Sequence, residues 1–332
     1  MPSNNLPRLA WRRIFLGSMV FIAFSAPGRA RAPESDQADR TFKITSTVHR
    51  VLLDVSVQDK DGGYVTGLSR ENFELFENGR PQPIIHFSSV DTPVTIGLII
   101  DNSGSMRTKR PAVVTAGLAF AKESNSQDEF FVVNFNNYVV HGLPPGVDFS
   151  DNLKLLRSAL YLGTPAGQTA LYDAIISGLG HLQKGVQSKK TLIVVSDGCD
   201  NASRCSQSEA MDLIRASQAT IYTVGLFDED DPDRNPRVLQ KIAKISGGEY
   251  FNPQLETVVP VFHKIATDIR NRYSLSYAPD PHLDPARVPR RSIRVVAHAA
   301  GHKNLIVHTR TTYSFKTFSD LVAQGNQVTG NK

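Results

Sequence analysis

The side chains best suited to chemistry come directly after an apolar segment. Residues 94–100 are apolar and are followed at once by Asp101, Ser103 and Ser105. An acidic residue at the end of such a strand lies at the edge where doubly wound α/β folds bind their ligands. Because Gly104 permits a tight loop, the carboxylate and the two hydroxyls can point toward one centre.

Two further segments place oxygen atoms in a similar setting. Thr169 comes just before a helical pattern, and Asp197 closely follows the apolar segment 191–195. The five residues together offer two carboxylates and three hydroxyls, a set that suits Mg²⁺, Mn²⁺ or Ca²⁺ rather than zinc or copper. Each residue alone is as typical of a helix cap or a turn. The set as a whole favours a metal site.

The elements that must position these residues alternate along the chain. Apolar strand patterns lie at 94–100, 130–135, 191–195 and 221–225, and helical patterns separate them. This alternation predicts an α/β fold with a doubly wound, mostly parallel sheet and helices on both faces.

The flanking segments have the alternating pattern of half-buried strands. Val51, Leu53 and Val55 alternate with more polar residues, and Tyr273, Leu275 and Tyr277 do the same after the α/β region. Chain ends often lie close together. We therefore expect an N-terminal β segment (41–92) and a C-terminal β segment (271–318) to form one small β domain. The polar residues 319–332 are predicted to be a disordered tail.

The candidate metal ligands are similar to a known site. Their types, order and strand context resemble the metal-ion-dependent adhesion site of von Willebrand factor type A domains, over about residues 93–270. The resemblance implies direct or water-mediated contact of the ion with Ser103, Ser105 and Thr169, and coordination completed by Asp101 and Asp197, partly from behind the direct ligands. It implies Mg²⁺, with Mn²⁺ or Ca²⁺ as alternatives. It also implies a binding module without catalysis, whose protein partner supplies a Glu or Asp side chain.

The flanking parts carry a second resemblance. Residues 57–62, 72–79 and 273–277 resemble the corresponding segments of a bacterial group of exported von Willebrand A-related proteins. That resemblance implies the same arrangement of β segments around the α/β domain and the same metal site, but it identifies no partner.

The first 32 residues have the layout of an export signal. Arg12 and Arg13 precede the apolar run 14–26, which is shorter than the roughly 20 residues of a membrane span. Either Sec or twin-arginine export fits this pattern, and the signal is either cleaved or retained as an anchor. A flexible leader (33–40) follows. The sequence thus predicts a periplasmic or secreted protein with no other membrane span.

Composition excludes one class of partner. The net charge is +5, from 37 Lys and Arg against 32 Asp and Glu, and the basic residues are scattered. Nucleic-acid binding is therefore not expected. Cys199 and Cys205 are the chain's two cysteines. After export they fit a small disulfide loop and two free thiols about equally well.

Two other functions use the same residues. A hydrolase would need Ser103 or Ser105 as nucleophile, or a metal-activated water. No histidine lies in these motifs, and the Gly-x-Ser-x-Gly pattern is absent around the serines. A structural envelope protein would use the metal only to stiffen its fold. It would lose stability with EDTA and have no metal-dependent partner.

Overall fold

The computed structural model describes residues 50–197, 200–228, 234–280 and 290–329. The strands, numbered along the chain, are β1 (Val51–Gln58), β2 (Phe73–Glu77), β3 (Arg80–Gln82), β4 (His86–Ser88), β5 (Val94–Asp101), β6 (Glu129–Phe135), β7 (Val139–His141), β8 (Lys189–Ser196), β9 (Thr220–Gly225), β10 (Tyr250–Phe251), β11 (Tyr273–Tyr277), β12 (Arg290–Ala297), β13 (Ile306–His308) and β14 (Thr312–Ser314). The helices are α1 (Arg110–Glu123), α2 (Leu153–Leu160), α3 (Leu171–Leu182), α4 (Gln207–Ala216), α5 (Pro236–Ser246), α6 (Val258–Arg270) and α7 (Phe318–Thr329). Short 3₁₀ helices lie at Arg70–Asn72, Gly104–Met106 and Leu255–Thr257.

The central sheet has six strands in the order β10-β9-β8-β5-β6-β7. All of its pairings are parallel except that of β7 with β6. Every residue of β5 is buried, as expected for a strand with neighbours on both sides and helices on both faces. The predicted doubly wound α/β fold is confirmed.

Helices cover both faces of this sheet. Successive side chains of a strand point to opposite faces. Gly117 of α1 lies against Leu98, whereas Gly178 of α3 lies against the next residue, Ile99. The two helices therefore pack on opposite faces, and the carboxyl ends of β5 and β8 remain open at one edge.

The flanking segments form two four-stranded antiparallel sheets, β13-β1-β11-β4 and β14-β12-β2-β3. Alternate side chains from both sheets share one apolar core, which includes Leu53, Leu75, Leu275 and Val295. The first sheet pairs β1 with β11, and the second pairs β12 with β2. The prediction of a small β domain built from N- and C-terminal segments is therefore confirmed, and we call it the sandwich.

A buried ionic cluster joins the sandwich to the α/β part. Asp268 of α6 and Arg272 are paired at 2.7 Å, and each is 5% exposed or less. The carboxylate also accepts hydrogen bonds from Ser56 of β1 and Tyr222 of β9. Arg272 donates to the carbonyl of Gly247 at 2.9 Å. We call these residues the joint cluster.

The expected disordered tail is wrong for its described part, because α7 runs from Phe318 to Thr329. Thr317 and Asp320 form a reciprocal cap, with the Thr317 amide 2.9 Å from Asp320 Oδ2 and the Asp320 amide 3.2 Å from Thr317 Oγ1. Phe318 is buried, and Val322, one turn on, packs on the same core. A cap and two apolar side chains on one helix face outweigh the polar composition.

Some predictions fall on other parts of the chain. The export signal (1–32), the leader (33–40) and residues 41–49 lie outside the described residues, as does Cys199. Cys205 is a half-buried free thiol. Within the described ranges, no helix has the length and hydropathy to cross a membrane.

Candidate metal site

Asp101 is held in place at the carboxyl end of β5. It is 1% exposed. Its Oδ1 accepts a hydrogen bond from the Ser103 amide at 2.8 Å, and its Oδ2 accepts one from Ser196 Oγ at 2.6 Å. The carboxylate is therefore fixed between the loop that it begins and the last residue of the neighbouring strand β8.

The two serine hydroxyls continue from this carboxylate toward the surface. Ser103 Oγ lies 3.1 Å from Ser105 Oγ, and Ser105 Oγ donates a hydrogen bond to Asp197 Oδ2. Ser103 and Asp197 are buried, whereas Ser105 is exposed. Four of the five predicted residues thus form one connected group, which reaches from the sheet edge to solvent.

Backbone hydrogen bonds hold the loop of Thr169 next to this group. The Gly104 amide donates to the carbonyl of Gly167 at 3.2 Å, so the loop before Thr169 lies against the loop of the two serines. The amide of Thr169 donates to Asn201 Oδ1 at 2.8 Å, and the amide of Asn201 donates back to the Thr169 carbonyl at 3.0 Å. The Thr169 residue is 4% exposed. The structure therefore links its loop both to the serine loop and to the loop after β8.

Among the described residues, the two carboxylates have no counter-ion. Burial, and next the charge of Asp197, raise the pKa of Asp101 to about 7. Neither Asp101 nor Asp197 has a salt bridge to any of the described Lys, Arg or His side chains. A pair of neighbouring acidic groups, largely buried and without a cationic partner, is stabilised by a bound cation.

The donor set fits a hard divalent cation. Three hydroxyl and two carboxylate side chains are the kind of oxygen ligands that Mg²⁺ accepts, with water filling its other positions. Within the described residues, no group of three or more His, Cys, Asp or Glu side chains has a metal-binding arrangement. The candidate site differs from such a group because hydroxyls provide most of its donors.

Sequence reasoning missed the residues that support the site. Ser196 fixes Asp101, and Asn201 fixes the backbone of Thr169. Asp200 accepts the Tyr172 amide at 3.2 Å and so caps α3. Arg110 donates to the carbonyls of Leu160, Leu162 and Gly163. Ser196 and Asp200 adjoin the recognised motif, whereas no pattern in the sequence indicates the roles of Arg110 and Asn201.

Comparison with known proteins agrees with this geometry. Residues 96–199 match the family model of the von Willebrand factor type A domain. The predicted resemblance to this family is therefore confirmed, and the matched residues include all five candidate metal ligands. Domains of this family generally act as adhesion or interaction modules.

Similar solved structures share only a low sequence identity with this chain. A von Willebrand factor type A protein from Catenulispora acidiphila is 15% identical over 83% of this chain and 76% of its own, with a TM-score of 0.48. An aerotolerance-related membrane protein from Bacteroides fragilis is 15% identical over 53% of this chain and 98% of its own, with a TM-score of 0.44. Proximal thread matrix protein 1 from the mussel byssus, with a zinc-occupied MIDAS motif, is 15% identical over 58% of this chain and 49% of its own, with a TM-score of 0.47. No curated protein matches the sequence.

Proposed function

We propose that this protein is an exported binding module that holds Mg²⁺ and captures an acidic side chain of a partner protein. The proposal depends on one observation above all. The hydroxyls of Ser103 and Ser105 lie 3.1 Å apart, Asp197 accepts a hydrogen bond from the Ser105 hydroxyl, and Asp101 accepts one from the Ser103 amide. Mn²⁺ and Ca²⁺ would suit the same donors.

Each residue of the site has a distinct role in this proposal. Ser103, Ser105 and Thr169 would hold the ion directly or through water, and Asp101 and Asp197 would balance its charge. A bound Mg²⁺ supplies a position where a carboxylate oxygen from another molecule can coordinate. Because neutral hydroxyls replace carboxylates among the direct ligands, the site would keep enough positive charge to attract such an anion.

The surface beside the site would supply specificity. Tyr138, Tyr161 and Leu162 are large side chains that are 74%, 45% and 42% exposed. Tyr138 and Leu162 line a shallow groove that also includes Asn102, the residue between Asp101 and Ser103. Exposed aromatic and apolar side chains next to a charged anchor are typical of protein interfaces. The expected partner therefore carries an acidic residue flanked by apolar ones.

The location is part of the proposal. The arginine pair and apolar run in residues 1–32 support export, by either the Sec or the twin-arginine route. An acidic partner would then be met in the periplasm or outside the cell.

Metal binding can be tested without a partner. Purified protein should bind one Mn²⁺, measured by loss of the free Mn²⁺ signal in electron paramagnetic resonance, and Mg²⁺ should compete for that site. The variant Ser103→Ala/Ser105→Ala should lose this binding. Ser158→Ala, an exposed serine in α2, is the matched control and should retain it. Equal Mn²⁺ binding by the double variant and the wild type would refute the ligand assignment.

Partner capture needs a second test. Proteins retained from an envelope extract in Mg²⁺ should be released by EDTA and should not bind Ser103→Ala/Ser105→Ala. Retention that survives EDTA would refute capture through the metal. If EDTA lowers the thermal stability and no partner depends on Mg²⁺, the metal is structural.

A further inference from the structure

A cavity of about 350 Å³ lies at the junction of the sandwich and the α/β part. Its lining includes Asp54 of β1, Lys190 of β8, Thr220 at the start of β9, and Tyr313 of β14. Lys190 and Thr220 belong to the amino ends of their strands, whereas the candidate metal site is at the carboxyl ends. The cavity and the metal site are therefore at opposite edges of the central sheet, roughly 20 Å apart for strands of this length.

One cavity residue, Arg310, is buried without a partner. It lies between β13 and β14 and is 4% exposed. Its side chain makes no hydrogen bond or ion pair with any described residue, and its Nη1 atom is both buried and unbonded. Two other buried arginines of the described chain differ from it. Arg291 is paired with Glu77 at 3.0 Å, and Arg272 with Asp268 at 2.7 Å.

The charge on Arg310 persists at neutral pH. Burial lowers the pKa of its guanidinium to about 10, and the charge of Asp54 opposes that effect. Proteins rarely keep a buried cation without an anion, because the desolvation of the charge is uncompensated. A bound anion at this position would therefore stabilise the protein.

Two more cationic residues line the cavity among mostly neutral ones. Arg50 and Lys190 line the same cavity, and Asp54 is the one acidic residue of the described lining. The Lys190 ammonium already donates to the Gly185 carbonyl at 2.6 Å. Tyr313 lines the same cavity as Arg310, and its hydroxyl has no hydrogen-bond partner among the described residues, so it is a second available donor. The guanidinium fork of an arginine matches the geometry of a phosphate or carboxylate group, and a hydroxyl in the same cavity could donate to the same anion.

We propose that this cavity is a binding site for a small molecule carrying an oxyanion, with its phosphate or carboxylate group on Arg310 and Tyr313. A volume of about 350 Å³ is at the lower end of the range for small-molecule sites. The lining comes from β1, from the amino ends of β8 and β9, and from the segment that leads into α7. A ligand there would contact all three, so it would stabilise the junction as well as neutralise Arg310.

The test uses the full mature protein in EDTA, so that the metal site does not contribute. Inorganic phosphate and acetate are titrated at constant ionic strength, with NaCl as the reference salt, and the unfolding temperature and heat of binding are recorded. We expect a saturable rise in unfolding temperature with at least one of the two oxyanions and none with chloride. A response to phosphate alone identifies a phosphate site, and a response to acetate identifies a carboxylate site. No saturable response to either anion beyond that of NaCl would overturn the proposal.

Variants assign the response to Arg310. Arg310→Met keeps the apolar stem and removes the charge, and it should weaken the dissociation constant at least about tenfold. Arg157→Met makes the same change at an exposed position of α2 and should bind as the wild type does. A folded Arg310→Met protein that binds as tightly as the wild type would overturn the proposal.

Ligand-free stability gives an independent check. Because Arg310 has no partner, Arg310→Met should unfold at the same temperature as the wild type or a higher one in the absence of oxyanions. If Arg310→Met fails to fold, Arg310→Lys and Tyr313→Phe decide the question. Weaker anion binding in both supports the site, and unchanged binding in both overturns it.

Discussion

The joint cluster gives the sharpest test of how the sandwich and the α/β part depend on each other. Asp268 is 1% exposed, and donors from three other residues converge on its carboxylate. Arg272 donates to it through Nε at 2.9 Å and Nη2 at 2.7 Å, and Ser56 and Tyr222 donate through their hydroxyls. Asp268→Asn keeps the shape of the side chain and removes the charge, so it leaves the buried guanidinium of Arg272 without its anion.

The expected loss is large for a single substitution. Removing one partner of a buried ion pair destabilises a protein by about 3–5 kcal/mol. For a chain of this size, that corresponds to a fall in unfolding temperature of roughly 5–10 °C. Replacing both charges, in Asp268→Asn/Arg272→Met, should recover at least about 1 kcal/mol relative to Asp268→Asn, because no uncompensated charge remains.

Urea denaturation followed by circular dichroism measures these differences. Asp151→Asn, an exposed aspartate, is the matched control and should stay within about 0.5 kcal/mol of the wild type. A loss below about 1 kcal/mol in Asp268→Asn, or a double variant no more stable than that single variant, would refute the reasoning. The wild type should unfold in one transition, because the cluster connects β1, β9 and α6.

The same carboxylate predicts how stability depends on pH. Burial alone would raise the pKa of Asp268, but Arg272 and the hydroxyl donors hold it below its ordinary value. The ionised Asp268 carboxylate therefore stabilises the folded state fully above the pKa of about 3.9 that it has in the unfolded chain. This stabilisation is lost as the pH falls through the lower pKa of the folded state. Asp268→Asn should lose less stability than the wild type on acidification below about pH 4. An equal loss of stability in the wild type and in Asp268→Asn below about pH 4 would contradict this assignment.

Three further predictions concern other parts of the molecule. Mg²⁺ at a hundredfold excess over its dissociation constant should stabilise the wild type by about 2.7 kcal/mol in denaturation experiments; equal stabilisation of Ser103→Ala/Ser105→Ala would contradict the site. Thr317→Ala should weaken the start of α7 by about 1 kcal/mol, seen as faster amide exchange within that helix; unchanged exchange would show that the cap is dispensable. Burial and the neighbouring His181 lower the pKa of His141, so stability should fall as the pH drops through the unfolded value of about 6.5; a ring titration at or above pH 6.5 by NMR would rule this out.

The sequence predicted the α/β fold because its signals are local. The segment 94–100 is apolar at nearly every position, which is typical of a strand covered on both faces. Asp101 follows it directly, so its place at the sheet edge follows from the strand alone. The small β domain from the N- and C-terminal segments was predicted from alternation and from the usual closeness of chain ends, whereas the particular pairing of β1 with β11 comes from the structure.

Other features depend on contacts between distant segments, and local patterns do not predict them. Arg310 lies in a polar stretch and is of a residue type usually found on the surface, yet it is 4% exposed. Gly247, far away in the sequence, lies against the backbone of Thr309 and Arg310. The side chain of Asn201 accepts a hydrogen bond from the amide of Thr169, which lies 32 positions earlier in the chain. The tail was expected to be disordered because residues 319–332 are mostly polar. The packing of Phe318 and Val322 on the α/β core is seen only in the tertiary structure.

Two of the crossings between the sandwich and the α/β part lie side by side. Strand β4, which leads into the α/β part, pairs with β11, which leads out of it, with Ser88 opposite Ser274. Next to this pair, Asp91 and Arg270 form an ion pair at 3.0 Å. The pairing of β4 with β11 therefore fixes the spacing between the points where the chain enters and leaves the α/β part. Loops at the other edge of the central sheet, where the candidate metal site lies, could change conformation without separating these two points.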